Sequence, residues 1–435
     1  MILIFKLVIV LIVGYIGGLI AKKLKLPNVS GYLVLGLILG PSISLIFKNY
    51  GGFLTANDLN SLKFINEIAL AFIAFSIGSE FNFKSLKKVG KDINTITMFE
   101  VLFVVVIVFL VLFFIPKPAP IMDGYNPFSK NNLAVALVLA SMSAATAPAA
   151  TLMVMRQYRA YGPLTKTVLP VTALDDIYGI VVFGFVISFA TLLVTVSTHS
   201  IWLLILKPFI EVFGSIIFGI IVGFLLKLVI GKSPKERDEL QVISIIAILL
   251  ITTVLALINE YFVSFNLALS ALLANMALGT VVTNFTKKPD KTFASVNDFT
   301  SPIYVMFFTL AGSSLDLSIL KNSVLVLIIA IIFMIGRAAG KYLGAFTGSV
   351  VTNQPKQVRN YLGIALLPQG GISLGLLVIV AAQLGKFYPF ISTVIMLSIL
   401  FFETTGPIFA KFAISKSGEI GGLDKLDQLS LIDDI

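Results

Sequence analysis

Residues 171–184 read VTALDDIYGIVVFG, which places Asp175 and Asp176 side by side in an apolar segment. From Thr167 to Ala190 no other side chain carries a charge. A carboxylate at the centre of a bilayer costs about 2.5–3.5 kcal/mol on insertion scales, so this pair indicates a functional site. Adjacent helical residues point about 100° apart, so we expect one carboxylate to face an ion path and the other a separate partner.

Asp175 needs a cationic partner if Asp176 is the group that faces the ion path. The segment GRAAGKYLGAF (336–346) offers two candidates, Arg337 and Lys341, which lie one helical turn apart. An Asp–Lys bridge that only holds helices together is the alternative, but a buried ion pair is weak evidence for stability. The pattern therefore favours an ion or proton site.

Two other apolar segments contain signals for an interrupted helix. Residues 141–152 (SMSAATAPAATL) combine small side chains with Pro148, and residues 367–377 (LPQGGISLGLL) contain Pro368 and Gly370. Proline removes a backbone donor and disrupts the preceding turn. Interrupted helices expose backbone dipoles at the midplane, where secondary transporters bind their ions.

The composition indicates a polytopic all-α membrane protein. Of 435 residues 57% are hydrophobic and only 12% charged, and there is no cysteine and a single histidine, His199. These counts exclude thiolate and histidine-rich metal centres. About thirteen apolar spans are long enough to cross a ~30 Å hydrocarbon core. The net charge of +10 lies in short loops, which indicates contact with anionic lipid and not with nucleic acid.

Lys and Arg are concentrated in the loops that follow odd-numbered spans. The positive-inside rule then places the N-terminus outside the cell membrane and the C-terminus in the cytoplasm. The two halves of the chain also look alike. FSIGSEFNFKSLKK (75–88) matches TLAGSSLDLSILKN (309–322), and VSGYLVLGLILGP (29–41) matches ALSALLANMALGT (268–280). We therefore expect two inverted six-helix repeats joined by a linker helix.

Together these segments resemble the monovalent cation:proton antiporter superfamily, in its second branch with paired aspartates. The resemblance covers nearly all of residues 1–415, through LKLPNVSGYLVLGLILGPS, FSIGSEF, ATAPAATL, TALDDIYGI and GRAAGKYLGA. It implies a core of two crossed, discontinuous helices that moves against a dimer-forming scaffold. It also implies a homodimeric transporter of Na⁺ or K⁺ and protons that is not an enzyme and needs no cofactor.

The resemblance also assigns roles at the site. Asp176 resembles the carboxylate that binds the cation and the proton, and Asp175 resembles the partner of a helix-11 lysine. Lys341 is similar to that lysine through GKYLG, and Arg337 is similar to the arginine of electroneutral relatives. The choice between Lys341 and Arg337 as the partner of Asp175 stays open.

Further candidates surround this pair. Thr146 lies where relatives have a threonine at the helix break, but Ala147 replaces an aspartate that some relatives place next to it. Glu100 is either a counter-ion for Arg337 or a solvated interfacial residue. Glu403, opposite the aspartates in the second repeat, is either structural or a second proton-binding group. Gln369 is a candidate amide at the second break.

We expect alternating access, in which protons and the cation compete for Asp176 and two protons move per cation, so that transport is electrogenic. A sodium-coupled organic-anion symporter is the first alternative, but it should lack a lysine at the crossing. An intramembrane aspartyl protease needs its two aspartates on different helices, and a channel is a further alternative.

The expected organisation has six parts. They are residues 1–92 (scaffold and dimerisation helices 1–3), 93–195 (core helices 4–6), 196–235 (linker helix 7), 236–316 (scaffold and dimerisation helices 8–10), 317–415 (core helices 11–13) and 416–435 (a short cytoplasmic tail).

Overall fold

The computed structural model describes residues 2–24, 28–45, 52–79, 81–83, 90–122, 124–147, 151, 154–155, 158–194, 201–231, 236–261, 269–287, 289–314 and 324–424. Within these ranges the chain is helical and contains no strand. The main helices are α1 (Ile2–Lys23), α2 (Asn28–Leu39), α3 (Ala56–Ser61), α4 (Lys63–Gly78), α5 (Lys91–Phe114), α6 (Lys130–Met142), α7 (Pro163–Val194), α8 (Ile201–Gly231), α9 (Arg237–Tyr261), α10 (Ala271–Phe285), α11 (Pro289–Ser313), α12 (Val324–Val351), α13 (Lys356–Ala365), α14 (Gly371–Gln383) and α15 (Tyr388–Ser417).

Seven helices in the described ranges are long and apolar enough to cross a membrane, namely α1, α5, α7, α8, α9, α12 and α15. Hydropathy predicts spans at residues 30–47 and 301–314, and both have different bounds in the structure. The α-helix of span 30–47 ends at Leu39, and a 3₁₀ turn follows from Pro41, because proline disfavours helix in the residue before it. The predicted span 301–314 is the second half of α11. The first half of this helix (PDKTFASVNDFT) is polar, so a hydropathy analysis does not detect it.

Helices α5 and α12 approach each other through a row of glycines on α12 at four-residue spacing. A Cβ built on Gly340 would lie 2.5 Å from Val104 Cα, and one on Gly344 would lie 2.6 Å from Glu100 Cα. Small residues at this spacing allow two helix backbones to pack in direct contact within a membrane. Lys341, which follows Gly340, is therefore held against the part of α5 that carries Glu100.

Other close contacts build a second group of helices. Gly36 of α2 and Gly40, the residue after α2, pack on the backbone of α11, and Gly78 of α4 packs on Gly279 of α10. We refer to α1, α2, α4 and α8–α11 as the scaffold group, and to α5–α7 and α12–α15 as the core group. The two groups meet along α7, α8 and α14, because α7 packs on α8 and α14 packs on α4.

Two helices of the core group are interrupted where the sequence predicts a break. Helix α6 ends at Met142 and residues 143–147 are not helical, while α13 ends at Ala365 and α14 begins only at Gly371. The two non-helical segments touch, since the Ala147 amide donates to Pro368 O at 3.0 Å. The predicted Pro148, like His199, lies outside the described residues.

Candidate ion-binding site

Both aspartates of the LDD motif are buried on α7, facing the first non-helical segment. Asp175 has 0% of its surface exposed and Asp176 has 2%. Thr146 Oγ1 donates to Asp175 Oδ2 at 2.6 Å, and the Thr146 amide donates to Asp176 Oδ1 at 3.3 Å. The carboxylates point apart, as helix geometry requires, but they share Thr146 as a neighbour. Asp175 has the cationic partner that the sequence predicts, Lys341, while the expectation that Asp176 faces an ion path stays a prediction.

Lys341 lies at the centre of the site and has no exposed surface. Its Nζ atom is 3.0 Å from Asp175 Oδ2 and 2.5 Å from Glu100 Oε1. It also donates to Thr146 Oγ1 at 2.7 Å and to the carbonyl of Ala144. One ammonium group thus bridges two carboxylates on different helices, α5 and α7.

Glu100 is fully buried, which excludes the solvated interfacial position that the sequence left open. Its ion pair is with Lys341 and not with Arg337, because the glycines of α12 bring the α5 backbone beside Lys341. Glu100 Oε2 and Asp175 Oδ1 are buried and accept no hydrogen bond from the residues that the structure describes. Buried polar atoms in proteins are nearly always hydrogen-bonded, so these two oxygens stand out among the polar atoms of the site.

Arg337 holds the two interrupted segments together. Its guanidinium donates to Ser143 O at 3.1 Å and Ala145 O at 2.8 Å in the first segment, and to Leu367 O at 2.6 Å in the second. It also stacks over the ring of Phe402, 4.8 Å from the centroid. These carbonyls follow the C-terminal ends of α6 and α13, where helix dipoles carry partial negative charge. Arg337 therefore neutralises both ends at once.

Two further candidates lie around the second segment. Glu403 on α15 places Oε1 so close to Gly370 that a Cβ there would overlap it, which sets a carboxylate beside the positive N-terminal end of α14. Gln369 is buried, accepts from Ser398 Oγ at 2.7 Å and donates to Ser373 Oγ at 3.2 Å. The hydrogen bonds of its amide therefore go to α14 and α15 and not to the aspartates.

Comparison with known proteins identifies the family. The profile of the family described as "Sodium/hydrogen exchanger, transmembrane" matches residues 7–411. The chain belongs to the sodium/hydrogen exchanger family. The exchanger is 23% identical over 403 residues to the high-affinity Na⁺/H⁺ antiporter NhaS3 of Synechocystis sp., a match that covers 85% of this chain and 80% of the relative. It is also 23% identical over 413 residues to the Na⁺/H⁺ antiporter NhaS4 of the same organism, over 91% and 93% of the two chains.

The fold of the exchanger has a solved counterpart. The sodium proton antiporter MjNhaP1 from Methanocaldococcus jannaschii, solved at pH 8, superposes with a TM-score of 0.70 and covers 95% of this chain and 98% of its own. The sequences are 18% identical, so this similarity bears on the fold alone.

The charges of the exchanger's site almost cancel. Asp175, Asp176 and Glu100 supply three negative charges when ionised, and Lys341 and Arg337 supply two positive charges. These five groups carry one net negative charge when all are ionised, and a further buried carboxylate, Glu403, lies beside Gly370 in the second segment. The partner of Glu100 was not predicted from the sequence, although the four-residue spacing of the glycines in 336–348 is the signal that predicts close packing on this face.

Proposed function

We propose that this exchanger is a secondary active antiporter that exchanges Na⁺ or K⁺ for protons by alternating access. One observation carries the proposal: two buried aspartates meet a threonine and a lysine at the point where two interrupted helices cross. The Synechocystis relatives bear the name Na⁺/H⁺ antiporter, and the same chemistry fits these residues.

Asp176 is the group for which cation and proton compete. Its carboxylate accepts a hydrogen bond from the Thr146 amide and is buried where the two interrupted helices meet. Because water is excluded there, an ionised Asp176 can bind a cation that has lost its hydration shell. The Thr146 hydroxyl adds an oxygen beside it. When the site opens to the other side of the membrane, a proton replaces the cation. Neither step uses a cofactor or an enzymatic reaction.

Asp175 and Lys341 add a second proton. When the cation binds, Asp175 keeps its ion pair with Lys341, and the five groups with the cation are neutral. When two protons bind instead, Asp175 and Asp176 are both neutral and the site carries one positive charge. Glu100 then remains beside Lys341 as its counter-ion. The two forms differ by one charge, so exchange is electrogenic.

A sodium-coupled organic-anion symporter of similar fold is less well supported. It would need space for an organic solute at the crossing, where this exchanger instead has two buried basic side chains, Arg337 and Lys341, that bind the backbone of the interrupted segments.

The proposal includes an architecture of thirteen spans in two inverted repeats. Helices α2 and α10 are repeat mates, as are α4 and α11, and the structure packs α2 on α11 and α4 on α10, as a two-fold axis would require. The six sequence segments then serve as core, linker, scaffold and tail, with a homodimer formed through the scaffold group. We place the exchanger in the plasma membrane, and the loop charges favour an orientation with the N-terminus outside and the C-terminus in the cytoplasm.

An assay in proteoliposomes tests this function. The fluorescence of a dye that is quenched by a transmembrane pH gradient should recover when Na⁺, Li⁺ or K⁺ is added, and the measurement is repeated across a range of pH. Wild type should dissipate the gradient with at least one cation. Asp176→Asn should not, because an amide can neither ionise nor bind a proton at neutral pH. Glu239→Gln, a change at an exposed residue of α9, is the matched control. Near-normal exchange in Asp176→Asn would refute the assignment of the site.

A further inference from the structure

A second buried carboxylate lies far from the crossing, in a cavity between the core and scaffold groups. The cavity has a volume of about 20 Å³, enough for one water molecule. Its polar lining comes from Ser188 on α7, Glu211 on α8, Gln383 on α14 and Ser270 just before α10. Only 3% of Glu211 is exposed.

Oxygen atoms from four parts of the chain converge here. Ser188 Oγ donates to Glu211 Oε2, and Ser215 Oγ, one turn further along α8, donates to the Glu211 carbonyl. Ser215 Oγ also accepts from the Ser270 amide at 2.8 Å, and Thr191 Oγ1 donates to Gln383 Oε1 at 3.2 Å. These bonds fix the lining in place around the carboxylate. An acidic residue inside a membrane is expensive and by default functional.

The cavity is distinct from the site at the crossing. Ser188 follows Asp176 by 12 residues on the same helix, which corresponds to about 18 Å. It lies in the half of α7 that ends at Val194, which faces outside in the proposed orientation. The Ser188–Glu211 contact joins α7 of the core group to α8 of the scaffold group, along the boundary that we assign to an ion approaching Asp176 from that side.

We propose that Glu211 is a second cation-binding carboxylate, a staging site for the monovalent cation on the outer passage to Asp176. The inference rests on the proposed antiport. A single carboxylate with hydroxyl and amide oxygens and one water suits a monovalent ion, whereas Ca²⁺ takes six to eight oxygen ligands, often with several carboxylates. The cation binds Glu211 before it moves inward along α7.

Sided kinetics in right-side-out and everted membrane vesicles test this assignment. Glu211→Gln should raise the apparent KM for Na⁺ offered from the outer side by about tenfold, the effect of losing one charged ligand. The KM for Na⁺ offered from the cytoplasmic side should stay at the wild-type value. An unchanged outer KM, or an equal rise on both sides, would overturn the proposal. Loss of exchange in wild type would instead refute the proposed function.

Ser188→Ala separates binding from a purely mechanical contact. This variant keeps the carboxylate but loses the hydrogen bond between the groups, so a staging site predicts an outer KM close to wild type. If Ser188→Ala reproduces the effect of Glu211→Gln, the contact is a latch between helices and the proposal is wrong. Glu211→Asp, which retains the charge, should also stay close to wild type.

A labelling experiment covers the case in which Glu211→Gln fails to fold. The chain has no cysteine, so Gln383→Cys introduces a unique thiol at the cavity. A membrane-impermeant cationic methanethiosulfonate reagent added from outside should modify it, and Na⁺ should slow the modification relative to choline. Equal rates in Na⁺ and choline would overturn the proposal.

Discussion

The bridging position of Lys341 makes a quantitative prediction about stability. Asp175→Asn leaves Lys341 Nζ beside Glu100 Oε1 at 2.5 Å, and Glu100→Gln leaves it beside Asp175 Oδ2 at 3.0 Å. Neither single variant therefore leaves the ammonium without a counter-ion. Only the double variant does, so the two substitutions should not be additive.

The sizes follow from the chemistry of buried charge. Each single variant loses a hydrogen bond to a charged group, worth about 1.5–3 kcal/mol, but also relieves repulsion between the two carboxylates. We expect each to lower the free energy of unfolding by about 1–2 kcal/mol. Breaking a buried pair and leaving one charge alone costs about 3–5 kcal/mol, whereas the two single losses sum to about 2–4 kcal/mol, so the double variant should lose about 1 kcal/mol more than the sum.

Unfolding in mixed micelles, titrated with sodium dodecyl sulfate, measures these free energies in one detergent background. Lys341→Met provides the decisive control, because in that background removal of either carboxylate should stabilise the protein. Glu239→Gln, at an exposed site, should stay within about 0.5 kcal/mol of wild type. A double variant whose loss equals the sum of the single losses would refute the bridge.

Three other outcomes are expected. With Na⁺ as substrate and a valinomycin-imposed K⁺ potential, wild-type proteoliposomes should respond to the sign of the voltage and Asp175→Asn should not; a voltage-indifferent wild type would refute the two-proton stoichiometry. Thr146→Val removes the hydroxyl 2.6 Å from Asp175 Oδ2 and should raise the cation KM more than it lowers the maximal rate, so an unchanged KM would place the ligands elsewhere. Outside the membrane, hydrogen bonds from Lys6 and Thr55 lower the pKa of Asp58 to about 2, against about 3.9 when unfolded. The stability they contribute is present above about pH 4 and lost as the pH falls through about 2, so wild type should lose more heat stability over that range than Asp58→Asn.

The features readable from the sequence are those set by local chemistry. Proline, glycine and small residues disfavour a continuous helix in 141–152 and 367–377, and the structure interrupts its helices at 143–147 and 366–370. Two adjacent aspartates do not stabilise an apolar helix by themselves, so they indicate a candidate site even before the fold is known. The helix bounds that hydropathy misplaced lie where polar residues continue a helix, as in the first half of α11.

The contacts of the site could not be predicted in the same way, because they depend on which distant helices pack together. Glu100 is one acid in an otherwise apolar stretch of α5. The residues near it in the sequence do not indicate that Lys341 is its partner. The glycine row of α12 makes that contact possible, yet a row of glycines does not identify the helix it faces. Glu211 escaped notice for the same reason, since its neighbours come from α7, α10 and α14.

The two basic residues of α12 divide their tasks according to their chemistry. The guanidinium of Arg337 is a planar set of donors with a permanent charge, and it binds carbonyls of both interrupted segments that keep the same charge throughout transport. The ammonium of Lys341 is a compact charge on a flexible stem, and it lies between two carboxylates, one of which must gain and lose a proton in the proposed cycle. Arg337 keeps its hydrogen bonds to both interrupted segments, while the ion pairs of Lys341, one helical turn away, can change. The contact between the segments therefore stays intact when a carboxylate gains or loses a proton. An aspartate in place of Ala147 would add a negative charge near positive N-terminal helix ends, which Arg337 cannot supply. In this exchanger the carboxylate of Glu403 lies beside one such end, at Gly370 before α14.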